Sequence, residues 1–99
     1  MVIIGMISFP TESSKEIGKR FMQVTPLPKY ITKKGPYFSS ELGVGIKAIS
    51  IFESDPSKMA EAYEYISNYY ASYIGVPGYS YNVGACQEAM EALKMIGLA

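Results

Sequence analysis

The sequence contains no histidine and no tryptophan, and it has a single cysteine, Cys86. Without histidine, the usual zinc sites and every triad that relies on an imidazole base are excluded. One cysteine makes no intramolecular disulfide, which fits a reducing compartment. Cys86 has no activating neighbour in sequence and reads as an inert, partly buried thiol. Charge imbalance is also missing: nine basic and nine acidic residues cancel, which argues against nucleic acid or any other partner held by the overall field. The densest basic spots, Lys15 with Lys19 and Arg20, and Lys29 with Lys33 and Lys34, read as solvated faces. No apolar run approaches the roughly 20 residues needed to span a bilayer. The apolar start, Met1 to Phe9, has no basic residue ahead of it and no small-residue cleavage site, so it does not read as a signal peptide. The expectation is a soluble, cytoplasmic chain with no membrane partner and no cofactor.

What is present is apolar surface and tyrosine. The 99 residues are 48% hydrophobic and 18% charged, with nine tyrosines; this is one globular domain over residues 1–99. Val44 to Glu53, VGIKAISIFE, organises the rest. Read as a strand, it carries Val44, Ile46, Ala48, Ser50 and Phe52 on one face and Gly45, Lys47, Ile49, Ile51 and Glu53 on the other. Both faces are apolar, so both need cover. Val2 to Phe9, ended by Pro10, has the same character.

Between these two strands, Ser13 to Glu16 has the spacing of a capping box, and Ile17, Phe21 and Val24 follow at helical spacing until Pro26 and Pro28 stop the helix. The segment Lys29 to Glu41 is more polar, as an edge strand is, with Gly35-Pro36 as a bulge or turn within it. Leu42-Gly43 marks a tight turn, and Gly43-Val44-Gly45 fits a hairpin better than a phosphate loop. Asp55 and Pro56 have the chemistry of an N-cap and first helical residue. Met59, Ala62, Tyr63, Ile66, Tyr70 and Tyr73 then form a helical stripe that Gly75 to Gly78 terminates. Tyr79 to Ala85 alternates as a fourth strand, and Gln87 to Leu98 carries Ala89, Met90, Leu93 and Ile96 at helical spacing.

The order predicts an α+β fold: a ferredoxin-like βαββαβ unit with an extra C-terminal helix and a four-stranded antiparallel sheet in the order 4-1-3-2. Both main helices fall on one face of the sheet. Alternation does not say which side chains face them, but either choice leaves several large apolar residues open to water, a patch a lone soluble domain rarely carries. A homodimer packed sheet to sheet follows as the expectation.

The element order over Val2 to Ala85, the Lys34-Gly35-Pro36-Tyr37 break and the Ile49 to Pro56 strand-to-helix junction together resemble the dimeric α/β-barrel superfamily of ferredoxin-like proteins. That resemblance implies two sheets facing each other around a cavity for a small apolar ligand. Members include cofactor-independent monooxygenases, small isomerases and haem-handling enzymes, along with many uncharacterised proteins. Many active members use histidine there, and its absence here weighs against activities of those kinds.

Three residues are singled out as ligand-binding candidates. Lys47 is the one charge in the middle of the organising strand: it either meets an anionic group at the cavity or lays its stem along the sheet with its head in water. Tyr37 lies beside the strand break, which can open a cavity mouth. Tyr81 belongs to a crowd of tyrosines, with Tyr63, Tyr65, Tyr69, Tyr70, Tyr73 and Tyr79, that either orient an aromatic ligand or serve as packing and subunit-contact residues with surface hydroxyls. No acids are spaced as a metal cluster; Asp55 is explained as a cap, and Glu41 and Glu53 sit at separate strand ends. The functional expectation is a homodimer binding a small apolar or aromatic ligand between its sheets. The alternatives are a cofactor-independent monooxygenase or isomerase on the same fold, and a regulatory or assembly module acting through its dimer surface.

Overall fold

A computed structural model describes all 99 residues, Met1 to Ala99. Strand β1 (Val2–Phe9) leads through a 3-10 turn into helix α1 (Ser14–Gln23). Strands β2 (Ile31–Glu41) and β3 (Gly45–Ser54) form a hairpin, a second 3-10 turn opens helix α2 (Met59–Ala71), and strand β4 (Ser80–Cys86) and helix α3 (Ala89–Met95) complete the chain. All strands pair antiparallel in the order β2-β3-β1-β4, as the element order predicts. The two strands apolar on both faces are the central pair, and the more polar β2 and β4 are the edges.

The structure also assigns the faces. Ile3, Phe9, Ala48, Ser50 and Phe52 are buried beneath the helices, so the odd residues of β1 and the even residues of β3 point at α1 and α2. Ala62, Ile66 and Tyr70 of α2 close on Ile3, Ile31 and Phe52. Ile17 of α1 joins Phe9, Tyr73 and Val76 in a second cluster. The opposite face has no layer over it. Met6 and Ile49 are 47% and 37% exposed there, Ile4 and Ile51 are half-buried, and Lys34–Glu53 and Lys47–Glu41 ion pairs flank them.

The β2–β3 turn needs its glycine: Gly43 has φ +80°, a backbone conformation that costs a residue with a Cβ. Within β2 the register shifts between Lys34 and Tyr37, at the Gly35-Pro36 position the sequence marks, and the Gly35-Pro36 peptide is cis. Asp55 caps as its position predicts, accepting from the Ser57 N–H at 3.0 Å and the Ser57 hydroxyl at 2.9 Å, with Pro56 following.

Two local expectations are corrected. Ser13 and Glu16 form no capping box: the buried Ser13 hydroxyl donates to the Pro77 carbonyl at 2.6 Å, while Glu16 accepts from Arg20 at 3.2 Å. A capping box does form at α3, where Glu88 and Glu91 exchange bonds with each other's backbone N–H. Arg20 is likewise no free solvated charge; it donates to the Ser72 and Ile74 carbonyls at 3.1 and 3.0 Å, satisfying backbone oxygens just past the end of α2. Helix α3 buries none of its residues.

Candidate functional site

The core face of a central strand pair normally presents large side chains throughout. Here its middle is small: Gly5 of β1 stands opposite Ser50 of β3, and Ala48 comes next on the same face. Tyr70 reaches down from α2 into that gap, its phenol lying directly over Gly5. The ring fills the part of the gap over β1. The remainder, over β3, β2 and the Ile7 to Phe9 end of β1 and beneath α1, is an apolar cavity of about 280 Å³.

Each wall of this cavity follows from a local pattern. Helix α1 contributes Ile17 and Phe21, four residues apart on its inner stripe, with Gly18 keeping the helix wall low. Strand β3 contributes Ile46, Ala48 and Ser50 by alternation, and α2 contributes Tyr69, Tyr70 and Tyr73. Strand β2 supplies Lys33, Pro36 and Phe38. Lining residues Phe21 and Phe38 are 44% and 62% exposed, which places the mouth between α1 and the far half of β2.

Lys33 is the only charged residue on the wall. Ile31 and Lys33 share one face of β2, and since Ile31 is buried against the helices, Lys33 points the same way. Its ammonium lies 5.2 Å from the Tyr69 ring centroid, 5.3 Å from that of Phe21 and 6.0 Å from that of Phe52, and 3.5 Å from the Tyr69 hydroxyl. It pairs with no carboxylate, whereas Lys34, Lys47 and Lys58 each do. The reading of Lys33 as part of a solvated basic face is thus corrected.

The tyrosines behind the cavity form a stacked chain rather than a surface belt. Tyr81 stacks on Tyr70 at 6.2 Å and on Tyr79 at 5.6 Å, and Tyr79 meets Tyr73 at 5.6 Å. The Tyr79 hydroxyl donates to the Tyr70 carbonyl at 2.7 Å. Burial pushes the Tyr70 phenol up to about 12 against a smaller opposing effect of the Ser50 hydroxyl, and burial likewise raises Tyr73 and Tyr79 above the ordinary phenol value. These phenols are neutral hydrogen-bond donors at neutral pH.

Tyr37, Lys47 and Tyr81 all border a second depression, of about 440 Å³, on the uncovered face, together with Met6, Ile49 and Asn82. Tyr37 stands opposite Ile49 in the ladder and is 59% exposed. Lys47 is ion-paired with Glu41. The Tyr81 ring itself belongs to the helix side, since Tyr81 pairs with Ile7 and stacks on buried Tyr70. A wider depression of about 540 Å³ between α1 and α2, along Arg20, Gln23 and Asn68, is open and lined mostly by polar residues.

Fold and site together define a small α+β domain with an apolar cavity between its sheet and first helix and a lysine on the cavity wall. The scan of protein-family models and the searches of curated proteins and of solved structures find no match to this chain. No group of His, Cys, Asp or Glu is arranged to hold a metal, and no helix is long and apolar enough to cross a membrane.

Proposed function

We propose that this is a homodimeric, ferredoxin-like small-molecule-binding protein of the dimeric α/β-barrel kind, with one small apolar or aromatic ligand held by each subunit. The observation that carries the reading is the cavity of about 280 Å³ between α1 and the sheet. Its volume lies near the lower end for small-molecule sites, ~300 Å³, which suits a single ring or a short chain.

The dimer rests on the uncovered face. Ile4, Met6, Ile49 and Ile51 are contiguous there by register, and covering each large aliphatic side chain is worth ~1.5 to 3 kcal/mol. A second copy supplies matching apolar residues and leaves the flanking ion pairs at the rim. Light scattering on the eluting protein is expected to give at least twice 10.9 kDa. Ile49→Asp, at a position that touches no helix, is expected to return the mass to that of one chain with its helical and strand signal intact; a wild-type monomer at micromolar concentration refutes the pairing.

A second reading places the ligand between the two sheets, against Tyr37 and Lys47, with the β4 edge at Tyr81 beside it. The depression those residues border favours it, since a partner sheet would roof that space. Amide chemical-shift mapping with the neutral probe cinnamyl alcohol separates the two. Changes centred on Phe21, Phe38 and Ala48 support the helix-side cavity, and changes centred on Tyr37, Lys47 and Ile49 move the ligand to the interface. Ala48→Phe, which fills the cavity, is expected to abolish the first set. Conversion of a bound aromatic in the presence of oxygen alone would favour the monooxygenase alternative.

A further inference from the structure

We infer that the helix-side cavity selects a small apolar carboxylate, with Lys33 as the counter-ion of its anionic group. The inference rests on the reading of that cavity as the ligand site and adds the charge and class of the ligand.

Lys33 has three N–H donors and one long bond, to the Tyr69 hydroxyl at 3.5 Å. The three aromatic rings around its ammonium attract the charge through their faces but accept none of those protons in the manner of an oxygen. No acidic residue lines the cavity, and Lys33 has no carboxylate partner anywhere in the chain. Its sheet neighbours differ: Lys34 on the opposite side of the same strand pairs with Glu53 at 3.2 Å, and Lys47 pairs with Glu41. An unpaired ammonium half-withdrawn from water beside an apolar chamber is complementary to a molecule with one negative end and a greasy body. A carboxylate accepts a charge-assisted hydrogen bond from Lys33, and its hydrocarbon part lies among Ile17, Ile46, Ala48 and Phe38. The single cation sets the class. A phosphate monoester carries up to two negative charges and is ordinarily held by several donors, whereas one lysine balances one carboxylate.

The test compares cinnamate with its neutral counterpart cinnamyl alcohol by calorimetry and amide-shift mapping on the full chain. Cinnamate is expected to bind at Phe21, Phe38 and Ala48 about tenfold or more tightly than the alcohol, the ratio one hydrogen bond to a charged group supplies. Lys33→Met is expected to bring the ratio close to one with thermal stability retained, and Lys33→Arg to preserve it. Equal affinities in the wild type, or a ratio unchanged by Lys33→Met, overturn the assignment of charge while leaving the cavity as a ligand site. Binding of neither compound removes both.

Discussion

Raising the pH through the range from about 10 to 12 is expected to unfold the protein in one cooperative step. The Tyr70 phenol is held at about 12 by burial, and Tyr73 and Tyr79 are raised in the same direction, while the unfolded chain ionises its tyrosines near 10. Below that value both states keep their protons and the folded state has its full stability. Above it the unfolded chain binds fewer protons than the native one, so stability falls as pH rises, and it goes on falling until the native phenols titrate. Each such tyrosine removes ~1.4 kcal/mol per pH unit. Three of them, with the share of half-buried Tyr79 trimmed by its contact with water, remove ~3 kcal/mol per unit. At that rate a small domain with ~5 kcal/mol in hand is exhausted within about two units, by a pH of about 12.

The measurement is direct because nine tyrosines and no tryptophan dominate the near-ultraviolet absorbance. Tyrosinate absorbance is expected in two phases, the second coinciding with loss of circular dichroism. A single ordinary titration of all nine phenols with the backbone signal unchanged would contradict the buried stack.

The same stack shows what the amino-acid pattern does and does not disclose. Strand order is legible because only β1 and β3 are apolar on both sides, and a residue string greasy on alternate and intervening positions alike belongs in the middle of a sheet. The α2 start is legible because Asp55 acts on Ser57, two residues away, and Pro56 follows it at the first helical position. Which face of β3 turns inward is not legible, since both faces are apolar. The deciding residues, Gly5, Ala48 and Ser50, are conspicuous only as a hollow into which Tyr70 fits. The Ser13 hydroxyl illustrates the other limit: its partner, the Pro77 carbonyl, is 64 residues away, and a local capping pattern loses to a long-range acceptor that sequence spacing does not reveal.

Of the site, Tyr37, Lys47 and Tyr81 stand around one depression, whereas the lysine facing the helix-side cavity is Lys33. A signal for it was present. Ile31 and Lys33 are two residues apart in a strand, so burial of the first directs the second inward, but the neighbouring Lys29 and Lys34 make the segment look like a solvated basic edge. The tyrosines of α2 are legible in part. The helical stripe includes Tyr70 and Tyr73, which are buried, but only the antiparallel return of β4 beside β1 brings Tyr79 and Tyr81 against them.

Gly5→Ala is expected to be among the most damaging single-methyl additions to this chain. Gly5 has ordinary strand conformation, so the substitution brings no backbone penalty and would raise strand propensity. Its cost comes from space alone. A Cβ built at Gly5 falls within the Tyr70 ring, against its hydroxyl oxygen and two ring carbons. Tyr70 can retreat only toward the cavity its ring borders and away from the rings it packs on: Phe52 meets it edge-on at 6.1 Å, Tyr69 at 5.4 Å and Tyr81 stacks on it at 6.2 Å, so its displacement disturbs the aromatic group and narrows the cavity. Overpacking of this kind costs up to ~3 kcal/mol, enough to lower the melting temperature by about ten degrees in a domain of this length. The clash with one ring makes the effect separable from a general intolerance at the site. In a Tyr70→Ala background, itself destabilised by an emptied core position, the added methyl group enters vacated space and is expected to cost less than 1 kcal/mol, a coupling of ~2 kcal/mol between the two positions. Equal cost of Gly5→Ala in both backgrounds would mean that the Tyr70 phenol does not rest on the β1 backbone, and the wall that separates the cavity from the rest of the core would have to be built from other residues.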